Sequence, residues 1–95
     1  MKKYEIMYIL LADLSEEERN AEMENVHKVI VDNGGKIVNV DTEKFGLREF
    51  AYPIKDLTKG FYVIIDVEAN NEILAEFDRL NKLNNRVLRH IIVAK

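Results

Sequence analysis

The changes of hydrophobic period along this chain constrain its fold more than any single motif. Residues 2–11, KKYEIMYILL, alternate with a period of two: Tyr4, Ile6, Tyr8 and Leu10 share one face, and Glu5, Met7 and Ile9 share the other. After Ser15 the period becomes helical, with Met23, Val26, Val29 and Ile30 on one stripe. Ser15 with Glu18 three residues later is a capping box, Leu14 is placed to act as a hydrophobic staple, and Asn33-Gly34-Gly35 supplies the stop. A second extended region runs from Lys36 to about Tyr52, the turn-like KDLTKG follows, and FYVIIDVE closes a hairpin. Asn70 or Asn71 caps a second helix with the stripe Ile73, Leu74, Phe77 and Leu80. Asn84-Asn85 ends it, and RVLRHIIVA makes a last strand.

The resulting order is β-α-β-β-α-β. Right-handed crossovers then give an α+β, ferredoxin-like sandwich: a four-stranded antiparallel sheet in the order 4-1-3-2 with two helices on one face. Residues 1–95 are expected to form one domain with a modest core. On the third strand Phe61, Val63, Ile65 and Val67 face the helices, so Tyr62, Ile64, Asp66 and Glu68 face away. Strands one and three are neighbours, which gathers Met7, Ile9, Tyr62 and Ile64 into an apolar patch on the uncovered side. Such a patch marks a partner surface, or is covered by edge loops or a second copy.

Composition narrows the function. The chain has no cysteine, so disulfides and thiolate metal sites are unavailable and a reducing cytoplasm is the expected compartment. The N-terminal apolar run is short and interrupted by Glu5, which reads as a strand and not as a signal peptide or membrane span. The net charge of −3 is unevenly spread. Residues 15–33 carry six acidic against two basic side chains, a balance of −4, leaving about +1 elsewhere. After Asp78 there is no acidic residue, while Arg79, Lys82, Arg86, Arg89 and Lys95 follow; Lys2 and Lys3 open the chain. A basic end of this kind either meets phosphate or is simply solvated.

The inventory for catalysis is thin, and an enzyme is not expected. Ser15, the only serine, is used as a cap, and His27 and His90, the only histidines, lie on different elements with structural or solvent roles. No spacing supports a metal site, and Gly34-Gly35 follows a helix where a phosphate loop would precede one. Neither cofactor nor metal is expected. The element order is shared with RNA-recognition motifs, but Lys59-Gly60-Phe61-Tyr62-Val63-Ile64-Ile65-Asp66 departs from their third-strand pattern. Val63 and Asp66 replace aromatic positions, and Phe61 turns inward. Any RNA contact is therefore expected to be electrostatic and shape-directed.

The segment EKFGLREFAYPIKDLTKGFYVIIDVEA resembles the signature region of the bacterial ribosomal small-subunit protein six family. MKKYEIMYIL is similar to that family's opening, and FDRLNKLNNRVLRHIIV to its second helix and closing strand. The resemblance spans the chain and implies the same ferredoxin-like fold. It implies a structural constituent of the ribosome that binds small-subunit ribosomal RNA in the central platform, as a heterodimer with small-subunit ribosomal protein eighteen. By the same resemblance the RNA-binding residues are Lys2, Lys3, Arg48, Arg86 and Arg89, with Arg79 and Lys82. Two positions depart from the family pattern: Glu49 stands at a commonly basic site, and Phe50 at a usual leucine. Within this segment Gly46 permits a bulge or close approach, and Pro53 suits a strand end or sheet edge. The competing reading is a ferredoxin-like regulatory module for a small ligand. An acylphosphatase-type enzyme would need an anion-binding loop after strand one, and Leu11-Ala12-Asp13-Leu14 is not one.

Overall fold

A computed structural model describes the backbone of residues 1–54 and 57–95, and within these the side chains of all but 43–46, 48, 50–54 and 57. The elements run β1 (Lys2–Leu11), α1 (Glu16–Asp32), β2 (Lys36–Ile54), β3 (Leu57–Ala69), α2 (Asn71–Leu83) and β4 (Val87–Ala94). The sheet order is β2-β3-β1-β4, every neighbouring pair antiparallel, which is the expected 4-1-3-2 arrangement. The fold is the ferredoxin-like α+β sandwich.

Local chemistry sets the element ends. Ser15 accepts from the Glu18 amide at 3.2 Å, and Glu18 Oε1 accepts from the Ser15 amide at 3.1 Å, so both halves of the capping box are made. Leu14 packs on the core, but the residue a staple would contact is Arg19, whose guanidinium lies 4.3 Å from the Phe61 ring centroid. At the other end of α1, the Gly34 amide donates to Val31 O at 3.1 Å and the Gly35 amide to Ile30 O at 2.8 Å. With Gly34 at φ 94°, this is a Schellman stop. Asn70 is the cap of α2, accepting from the Ile73 amide at 2.9 Å.

The core lies between the sheet and both helices. Ile6, Tyr8 and Leu10 from β1 and Val63, Ile65 and Val67 from β3 meet Val26 and Ile30 of α1 and Ile73 and Phe77 of α2. Tyr8 is fully buried, and its hydroxyl is 2.7 Å from His27 Nε2, so the hydroxyl that a phenylalanine would lack is satisfied.

One expectation needs correction. Leu57 to Gly60, read from KDLTKG as part of a turn, already belong to β3: Ile54 pairs with Leu57 and Glu49 with Lys59. Edge pairing with β2 overrides the turn propensity of Thr-Lys-Gly. Residues 55 and 56 lie outside the described residues. The β2–β3 ladder also shifts register between Ile37 and Asn39, Asp41 and Gly46, and Glu49 and Ile54. The second of these falls at the bulge expected near Gly46. β2 is an edge strand, as Pro53 near its end requires.

Candidate nucleic-acid and partner interface

Because both helices cover one face, the outward residues of the sheet align in rows across its strands. Ile64 pairs with Met7 and Met7 with Ile91, which makes an apolar row over β3, β1 and β4. The next row is Tyr62, Ile9 and Arg89, and beyond the first row lie Asp66, Glu5 and Val93. The four residues expected to form the patch are therefore direct cross-strand neighbours. Their exposure differs. Met7, Ile64 and Tyr62 are half-buried, whereas Ile9 is only 4% exposed. Ile9 sits on the central strand beneath Tyr62 on one side and the Leu88–Arg89 bulge on the other, so it supports the surface and offers little of it. Ile91 and Val93 on the edge strand β4 are more open, 45% and 53% exposed. The sequence reading missed both. Their signal was present: with Ile92 facing the helices, alternation in RVLRHIIVA turns 91 and 93 outward.

The seven basic residues named above do not form one cluster. Arg89 is exposed on the open face beside Ile9, and among the described residues it pairs with no carboxylate. Lys3 stands opposite Glu68 at one end of the sheet, and Lys2, exposed, follows Met1. Lys3, Lys36 and Lys95 line a cleft of about 230 Å³ at that end, where Lys95 Nζ lies 2.7 Å from Asp66 Oδ1. The Asp66 hydrogen bond raises the Lys95 pKa. Lys36 and Lys95 were not among the expected site residues.

Three of the cations are already partnered. Arg79 pairs with Glu76 at 2.5 Å and Lys82 with Asp78 at 2.9 Å, both along the exposed side of α2. Arg86 bridges to Glu22 at 3.3 Å and Glu18 at 3.6 Å, while Asn84 Nδ2 donates to Glu22 at 3.0 Å. Arg86 thus ties the α2–β4 turn to the acidic start of α1. The Glu18 carboxyl is held below its ordinary pKa first by the Ser15 backbone and side-chain hydrogen bonds, and lastly by Arg86. Arg48 pairs in backbone register with Gly60; its side chain, like those of Phe50, Tyr52 and Pro53, lies outside the described residues.

Both histidines are structural. His90 Nε2 is 2.6 Å from Asp78 Oδ1, its ring edge-on to Phe77, and Asp78 is held below its usual pKa by Lys82 first and then His90. His27 packs edge-on to Tyr8, and burial lowers its pKa to about 4. Among the described residues no group of three carboxylates or imidazoles gathers as metal ligands.

The uncovered apolar row is thus bordered by Arg89 on one side and by Glu5 and Asp66 on the other. A family model described as ribosomal protein S6 matches residues 3–94. The chain belongs to the ribosomal protein S6 family. Its fold is similar to the crystal structure of 30S ribosomal protein S6 from Thermotoga maritima, with a TM-score of 0.90 at 30% identity over 99% of this chain and 87% of that one. Membership of the S6 family places the chain among structural constituents of the small ribosomal subunit.

Proposed function

We propose that the chain acts in the small subunit by binding ribosomal RNA together with small-subunit ribosomal protein eighteen, in the cytoplasm where the subunit is assembled. The observation that carries this reading is the uncovered apolar row Ile64–Met7–Ile91 with Arg89, which meets no carboxylate among the described residues, beside it. The row is the docking surface for the partner; Arg89 in the adjoining row, and Lys3 farther along β1 beyond Glu5 and Asp66, are the phosphate contacts. The acidic first turn of α1 belongs to the helix layer, away from this face, and Arg86 partly neutralises it. A basic partner supplies the remaining positive charge and lets an acidic protein join a polyanion. Arg79, Lys82 and Arg86 make secondary contacts, since each must share its charge with a carboxylate already in place.

The test is filter binding of central-platform RNA with and without the partner over a salt series. The expected result is weak binding by the chain alone at moderate salt, clear binding once the partner is added, and a smaller salt slope for Arg89→Glu. RNA binding that is indifferent to both the partner and Arg89→Glu would overturn the reading.

A further inference from the structure

Glu5 stands in the row next to the apolar one, with Asp66 opposite it on β3 and Val93 on β4. Two carboxylates face each other across neighbouring strands there, an arrangement that destabilises a sheet unless a cation intervenes. Lys95 supplies one. Just past β4 its amide donates to Lys3 O at 3.0 Å, and its side chain reaches over β1 to place Nζ 2.7 Å from Asp66 Oδ1. Glu5 itself, half-buried on the interior strand β1, meets no cation at ion-pair distance among the described residues. The row beyond sets Glu68 between Lys36 and Lys3, so that carboxylate has a cation on either side in the register. The row Asp66–Glu5–Val93 keeps one carboxylate more than Lys95 balances.

A protein seated on Ile64–Met7–Ile91 covers this row too, because successive outward rows lie only about 7 Å apart along the strands. Glu5 is then desolvated, which is costly for a carboxylate that has no cation. A phosphate backbone is repelled at this end, whereas Arg89, on the far side of the apolar row, attracts one. We propose that Glu5, with Asp66 beside it, receives a basic side chain of the docked protein partner. The pair then fixes which way round the partner sits, with its cation at the Glu5 end and RNA at the Arg89 end. This role rests on the docking reading of the apolar row and adds the chemistry of the partner's surface: an apolar patch with an arginine or lysine at one edge.

Calorimetric titration of small-subunit ribosomal protein eighteen into Glu5→Gln, and separately into Met7→Lys with Ile64→Lys, distinguishes this role from the docking reading itself. Thermal unfolding establishes that each variant is folded. Glu5→Gln should weaken binding at least about tenfold. Replacing each arginine and lysine of the partner by glutamine in turn should reveal one whose loss costs at least about tenfold against the wild-type chain and less than about twofold against Glu5→Gln. Wild-type affinity in Glu5→Gln, or a partner without such a position, would overturn the role of Glu5; a loss confined to the apolar-row variant would leave the docking reading standing. Unchanged affinity in both variants would overturn both. Self-association of the chain alone in sedimentation, disrupted by Glu5→Gln, would assign the row to a second copy and overturn the partner cation.

Discussion

His27 shows how burial sets a residue's behaviour. Its ring packs against the fully buried Tyr8 and its pKa falls from 6.5 to about 4. Above about pH 6.5 the imidazole is neutral in the folded and unfolded chain alike. Between 6.5 and 4 the unfolded chain takes up a proton that the folded chain refuses, so stability falls as pH drops. Allowing for solvent screening of a partly exposed ring, the loss by pH 4 is about 2 kcal/mol. Urea unfolding from pH 7 to pH 4 should show this decline, and His27→Gln should flatten it. The paired glycines separate two different demands. Gly34 needs its positive φ but has open space around it, so Gly34→Ala should cost about 1 kcal/mol. A Cβ on Gly35 would meet Ile30 Cγ2 at 2.6 Å and Glu68 O at 3.0 Å. Gly35→Ala should therefore cost more, about 2 kcal/mol, because backbone and core must both shift. Reversal of this order in denaturant melts would contradict the packing described at the α1–β2 junction.

At the scale of elements, strand faces decide what each side chain is worth. Ile65 is fully buried against both helices and Ile91 is 45% exposed on the open face. Ile65→Ala should destabilise by about 3 kcal/mol, and Ile91→Ala by less than about 0.5 kcal/mol. Equal losses in thermal unfolding would show the inward and outward rows to be misassigned. These rows were legible in the sequence because the period of two in YEIMYIL and FYVIIDV admits one register with a continuous buried face. The helix ends were legible too, since Ser15-Glu18, Asn33-Gly34-Gly35 and Asn70 act through contacts three to five residues apart. What escaped was set by neighbours distant in the chain. Leu57–Gly60 is strand because β2 pairs with it, and Ile9 is buried because Tyr62 and the bulge at Leu88 flank it.

For the whole molecule, the decisive feature is the division between an acidic helix layer and an uncovered apolar sheet face. The family was legible through the segment around GLREFAYPI. The candidate site was only partly so, because charge pairing is a tertiary property. From sequence, Arg79, Lys82, Arg86 and Arg89 look alike; in the fold the first three meet Glu76, Asp78 and Glu18 with Glu22, and Arg89 meets no carboxylate among the described residues. Ile91 and Val93 became part of the surface only once β4 was seated beside β1. The proposed function makes the Ile64–Met7–Ile91 row the docking surface for a protein partner. Calorimetric titration of small-subunit ribosomal protein eighteen into the double variant Met7→Lys with Ile64→Lys tests it most directly, with thermal unfolding to establish that the variant is folded. The variant should fold, and its affinity should drop at least about 30-fold, roughly 2 kcal/mol. Unchanged affinity in a folded variant would contradict that docking role.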